Sequence, residues 1–127
     1  FGELIDVRAG ANLVVTTGLN AVIDRLQAAS PAVHDYQAIG TGNTAAALAD
    51  TALQTELVRA QGTLSQPTAT TDRLVTTFAA GSGTGALTET GRLNAASTGN
   101  LFARQVFSVI NKGASDSLTI THDITVS

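Results

Sequence analysis

The sequence has no cysteine, no methionine and no tryptophan, and only two prolines in 127 residues. The lack of cysteine excludes a disulfide framework and any cysteine-based zinc site. Histidine is nearly absent too, with His34 and His122 alone, so a histidine-ligated metal would have few partners. Charge is scarce: 13% of residues are charged and the net charge is −3. No basic patch is visible, which argues against the electrostatic footprint of a nucleic-acid binder. No apolar run approaches the roughly 20 residues of a membrane-spanning helix, and no leader-like segment is evident at the start. Aromatics amount to four Phe and one Tyr, few for a carbohydrate module that stacks rings on sugars.

What remains is rich in alanine, threonine, glycine and serine. The length fits one β-rich domain over 1–127 with its own core. A surface so poor in charge suits a protein largely covered by neighbours.

The most informative stretch is the last, residues 101–127. Leu118, Ile120, Ile124 and Val126 alternate with Thr119, Thr121, Asp123 and Thr125, the pattern of a strand with one face in a core and one in water. His122 falls in phase with the inward residues and reads as a core histidine rather than a ligand. The preceding run, residues 101–110, is apolar on both faces, as in a strand covered on both sides. Across the polar turn 111–116 the two form an expected antiparallel hairpin.

From the start, residues 4–8 can form a short strand. Leu19, Val22, Ile23 and Leu26 then recur at helical spacing. They predict an amphipathic helix over 18–29, capped by Thr16 or Thr17, stopped at Ser30-Pro31, and packed by its apolar stripe on a sheet. Short strands are predicted over 34–42 and from Glu56. The alanine-rich 44–55 predicts one or two helical turns. Residues 63–71, with Pro67, predict a loop or an edge strand. Residues 72–80 and 86–93 predict a second hairpin around the loop Gly81-Ser82-Gly83-Thr84-Gly85, expected to be mobile or ordered by a neighbour. The total is a mainly β chain: an antiparallel β-sandwich or barrel, jelly-roll-like, with one N-terminal amphipathic helix and one short helical segment. One core is expected to join the C-terminal strands to the helix stripe.

Chemistry-bearing patterns are missing. Gly40-Thr41-Gly42-Asn43 lacks the lysine and hydroxyl of a phosphate loop. Ala80-Gly81-Ser82-Gly83-Thr84 is not a nucleophile elbow. His34 and Asp35 are adjacent, so on a strand they point to opposite faces. The ten carboxylates show no spacing that demands a shared site. The expectation is no catalytic residue, no cofactor and no metal.

Four segments carry a resemblance: GLNAVIDRL at 18–26, AIGTGNTAAALADTAL at 38–53, LVTTFAAGSGTGALTETGRLNA at 74–95, and LFARQVFSVINKGASDSLTITHDITVS at 101–127. Together they resemble small tailed-bacteriophage virion structural proteins. This chain departs from that pattern at Arg92-Leu93 and at His122, where aromatics would be expected. The resemblance implies a place in the virion, assembled in the host cytoplasm. There the chain would be a capsid decoration or cement protein, or else a tail, baseplate or fibre-attachment component; a host carbohydrate-binding module is a weaker reading. The implied partners are other copies of the chain and major capsid or tail proteins, without nucleic acid or membrane. Leu74, Phe78, Gly81, Gly83, Gly85, Phe102 and Val106, on the strands apolar on both faces and on the glycine loop, are the expected contact residues, in a homo-oligomer or a lattice-bound subunit.

Overall fold

The structure, a computed structural model, describes residues 8–27 and 32–126. The predicted strand over 4–8 and the predicted helix end over 28–31 lie outside them, apart from Arg8. In chain order the elements are β1 (Leu13–Val14), α1 (Thr16–Leu26), β2 (Tyr36–Gly40), β3 (Glu56–Gln61), β4 (Thr63–Thr68), β5 (Thr71–Phe78), β6 (Gly85–Leu93), β7 (Leu101–Lys112) and β8 (Leu118–Thr125). The described residues are thus mainly β, with two antiparallel sheets and one helix. The larger sheet runs β1-β7-β6-β2-β3 and the smaller β4-β5-β8.

Both predicted hairpins are corrected. β7 pairs with β6 and β1, not with β8, and β5 pairs with β4 and β8, not with β6. The loops after β5 and after β7 each carry the chain from one sheet to the other. A third crossing falls at Gly62, between the edge strands β3 and β4. A Cβ there would stand 2.2 Å from Thr76 Oγ1 and 2.5 Å from the Val75 carbonyl oxygen, so the bend against β5 requires glycine. Pro67 lies on β4, an edge strand, beside a break in its register with β5, where a missing N–H costs no central ladder bond.

Alternation along the strands sets two apolar layers. Ile39, Phe78 and Leu87 pack with Val58, Phe107, Leu118 and Ile120, joining the inner faces of both sheets. Ala38, next to Ile39 on β2 and so on the opposite face, joins Val15, Leu53, Leu93 and Leu101 on the outer face of the larger sheet. The first half of β7 is therefore covered on both sides from within the chain: Leu101, Phe102, Ala103 and Arg104 are all buried. On β8 the residues in phase with Leu118 and Ile120 turn inward, His122 included.

The helix forms where expected but packs differently. Val15 is its N-cap and no side chain caps it; Thr17 Oγ1 instead donates to the Leu101 carbonyl on β7. A Cβ on Gly18 would lie 2.2 Å from the Phe102 carbonyl oxygen. Gly18 and Ala21 are the buried positions: these small residues let the helix approach the β7 backbone closely, and that turns the stripe away from the sheet. Leu19, Val22 and Ile23 are about half exposed, and Leu26 is 78% exposed. The expected single core joining this stripe to β8 is accordingly corrected, and Val109 and Val126, assigned to it, are exposed as well.

The helical turns expected over 44–55 are absent. Side chains answer the backbone N–H groups there, which removes the need for helix: Asp50 Oδ2 accepts from Ala47 N at 2.9 Å and Gln54 Oε1 from Thr44 N at 2.9 Å. The loop 81–85 makes its own contacts inside the chain. Gly83, at φ 68°, lies so close to the core that a Cβ would stand 2.5 Å from Ile39 Cδ1. Lys112 Nζ bonds the Ala79 carbonyl at 3.0 Å just before it. Within the loop, Gly83 is thus held against the chain's own core.

Candidate functional site

Strand β6 reads T-E-T-G-R-L over 88–93, and its charges point to opposite faces. Glu89 faces outward, under the loop 41–55, and is 0% exposed. Its carboxylate accepts from the backbone N–H groups of Gly42, Gln54 and Thr55 at 2.9, 2.9 and 2.7 Å, and from Arg104 Nε at 2.9 Å. Burial alone would raise its pKa, but these four donors outweigh it and hold the carboxyl below the usual value. Arg104 also reaches Asp50 at 2.9 Å and the Thr44 carbonyl at 3.0 Å. The Glu89–Arg104–Asp50 network thus straps the loop onto the sheet. Every oxygen of Glu89 is already used, so it is a structural anchor rather than a base.

Arg92 faces inward. Its Nε donates to the His34 carbonyl at 2.6 Å and its Nη2 to Asp72 on β5, while Nη1 has no partner. One side chain thus ties the two sheets together at the end opposite the glycine loop. Beside it a directed chain of hydrogen bonds crosses the interior. Thr90 Oγ1 donates to the Ala38 carbonyl at 2.7 Å and so accepts from Gln37 Nε2 at 2.8 Å. This leaves Gln37 Oε1 to accept from His122 Nδ1 at 3.3 Å. His122 therefore carries its proton on Nδ1, and its Nε2 is a buried acceptor without a partner. Burial, then the nearby Arg92, lowers the His122 pKa to about 4. His34 is lowered to about 4 in the same way, by burial and then by Arg92 and Arg25, with Asp35 and Asp72 opposing. Its ring meets Phe102 edge-on at 5.2 Å. Both histidines are thus neutral at pH 7. Among the described residues, no three histidine or carboxylate side chains come together to hold a metal ion, and no helix is long and apolar enough to cross a membrane.

The expected contact residues are scattered. Leu74 and Phe78 point into the interior and are fully buried, so they offer nothing to a partner; inward alternation on β5 is the reason. Phe102 is also buried, and Val106 is half-buried. Gly81 is exposed with nothing within 4 Å of a Cβ position, Gly83 is pressed on the core, and Gly85 is half-buried. The structure brings no two of the strand residues and the loop together into one exposed patch.

The outer face of the smaller sheet is polar without being highly charged. Thr71 meets Thr125 at 3.2 Å, Thr77 meets Thr119 at 3.0 Å, and Arg73 forms a two-pronged pair with Asp123 at 2.8 Å. Threonine hydroxyls take the place of charges there, which explains how so neutral a composition covers a surface. Of the exposed large aliphatic side chains, Leu19, Val22, Ile23 and Leu26 share α1 at helical spacing, while Val33, Leu48, Leu57, Leu64, Val109 and Val126 lie elsewhere. Sequence reasoning found the four on α1 and assigned them to the wrong side. It missed Glu89, Arg92 and Arg104, although charges on strands otherwise apolar on both faces are a signal of buried pairing.

Compared with protein-family models, with curated proteins and with solved structures, the chain matches none.

Proposed function

We propose that this chain is a structural subunit of a tailed-bacteriophage particle, acting by assembly as a decoration or cement protein on the head lattice. The observation that carries the assembly reading is the stripe Leu19, Val22, Ile23 and Leu26, four large aliphatic side chains about half exposed or more on one helix. Contiguous exposed apolar surface marks contact sites on proteins in water. The sequence resemblance supports the phage setting, and the two sheets, packed through Ile39, Phe78 and Leu118, are read as an open, jelly-roll-like β-sandwich. In this reading the neighbour that covers α1 is a coat subunit or another copy of the chain. The role is read as non-catalytic: His122 is buried, His34 is half-buried, and burial holds both neutral at pH 7. A carbohydrate-binding role has less support, because no aromatic ring is exposed among the described residues.

Quantitative mass spectrometry of purified particles tests the assignment. The head reading predicts hundreds of copies per particle. A handful of copies would move the chain to the tail, and its absence from particles would overturn the virion reading.

A further inference from the structure

Strand edges present unpaired backbone groups, and folds usually blunt them with proline, charge, bulges or short length. The other open edges of this fold are blunted. β4 carries Pro67 and a register break. β3 has a register break opposite Gly40 and the Glu56–Arg59 charge pair. β1 is two residues long, and beyond it the Ser108 carbonyl of β7 accepts from Arg8. β8 is the exception. It ends the smaller sheet, pairs with β5 through eight consecutive residues without a break, and has no proline. Its one charge at pH 7, Asp123, is already answered by Arg73. Val126 N donates to the Thr70 carbonyl at 2.9 Å in the register of the β5–β8 pair. The even positions of β8 therefore bond to β5, and the odd ones turn their N–H and C=O groups to the open side. These are Thr119, Thr121, Asp123 and Thr125, all exposed. Among the described residues no hydrogen bond reaches those backbone groups, and no helix or other strand lies along that side of β8.

We infer that a second copy of the chain pairs with β8 along this edge, antiparallel and centred on His122, joining the two smaller sheets into one. A twofold contact must be self-complementary. β8 reads nearly the same in both directions about His122, with LTIT over 118–121 and DITV over 123–126. This centring sets Leu118, Thr119 and Ile120 opposite the partner subunit's Val126, the partner subunit's Thr125 and the partner subunit's Ile124. Hydroxyl then meets hydroxyl on the outer face, as Thr77 with Thr119 and Thr71 with Thr125 already do within the sheet. Aliphatic meets aliphatic on the inner face, where Val126 is 71% exposed in the single chain. Charge selects the same register. Asp123 faces a threonine, whereas centring on Asp123 would oppose two aspartates, and centring on Thr121 would set Val126 against the partner subunit's Asp116. The odd positions exchange backbone hydrogen bonds across the axis, and His122, in a non-hydrogen-bonded pair, keeps its ring turned inward. Stable interfaces use about 20–30 residues a side; residues 118–126 are fewer, so the dimer is expected to be concentration-dependent. The pairing rests on neither the phage setting nor the α1 contact.

The test uses the purified full chain. Sedimentation velocity is expected to show a monomer–dimer equilibrium that shifts with concentration. Thr121→Pro removes an N–H from the open side without touching the β5 ladder, and is expected to raise the dissociation constant about tenfold or more. Ile23→Asp with Leu26→Asp is expected to leave it unchanged. Because the chain has no cysteine, cross-linking can read the register. Opposed positions of a hydrogen-bonded pair lie about 5.5 Å apart, within reach of a disulfide. Thr119→Cys and Thr125→Cys, mixed and oxidised without denaturant, are expected to give the mixed 119–125 dimer well above its random statistical share. A monomer at every concentration overturns the proposal. So does a dimer that survives undiminished in folded Thr121→Pro, or one lost in the helix double variant. Should Thr121→Pro not fold, the cross-link decides: a mixed dimer at or below its random share overturns the proposal.

Discussion

Glu89→Gln is expected to lower the unfolding free energy by roughly 3–5 kcal/mol, the usual cost of removing one partner from a buried ion pair. The substitution keeps the shape and changes the chemistry at two points. An amide NH₂ replaces an oxygen that now accepts from N–H donors, so donor faces donor. The charge opposite Arg104 also disappears, and Arg104, 2% exposed, keeps only the partly exposed Asp50 as counter-ion. Three of the four donors to Glu89 belong to the loop 41–55 or its edge, at Gly42, Gln54 and Thr55, and the amide leaves an acceptor for only two of the four. Denaturant unfolding reads the effect as a fall in midpoint, and hydrogen exchange should show amides 42, 54 and 55 losing protection first. The comparison is Glu56→Gln, at a pair of 2.7 Å whose carboxylate is partly exposed; Arg59 keeps its bonds to the Ala95 and Thr98 carbonyls, so the cost is expected to be clearly smaller than that of Glu89→Gln. Equal effects of the two substitutions would mean that the strap carries no special load.

Acid is expected to destabilise the fold from about pH 6.5 downward. The folded His122 has a pKa of about 4 against 6.5 when unfolded. Between those values the unfolded chain binds more protons, so stability is whole above pH 6.5 and falls as the pH drops toward 4. At 1.36 kcal/mol per pKa unit the loss from His122 is roughly 3 kcal/mol. His34, lowered to about 4 as well, adds a loss in the same window. Glu89, whose carboxyl is held below its ordinary 4.5, loses its contribution mainly below that value. Measured unfolding free energies at pH 7, 6, 5 and 4.5 should therefore slope downward in the wild type. The slope should flatten in His122→Gln, whatever that variant's stability at pH 7. An unchanged slope would show that His122 is protonated as readily in the fold as outside it.

Local pattern made much of this fold readable. The period-two run on β8 located its inward residues, His122 among them, and Pro67 pointed to an edge strand. What pattern could not supply was strand partnership. Alternation identifies which face of a strand is buried, not which neighbour it pairs with, and the loops after Phe78 and Lys112 cross between sheets where a hairpin was the simpler reading. The helix shows a related limit. Its stripe located α1, yet burial went to Gly18 and Ala21, because close approach to the β7 backbone demands small residues. Residues 44–55 read as helix by composition, but the carboxylate that holds their ends in a loop comes from Glu89, more than thirty positions downstream. Arg92 was noticed only as a departure from an expected aromatic; its bond to Asp72 joins strands of different sheets, a contact that no local window contains.

The assembly account rests on α1 being a contact face. The direct measurement is incorporation: the copy number of the chain in particles produced with wild-type protein or with Ile23→Asp and Leu26→Asp combined. Both side chains are half exposed or more, so the double variant should melt within a few degrees of the wild type. The account predicts that this folded variant reaches particles at less than a tenth of the wild-type copy number. Equal incorporation of the two proteins would contradict it.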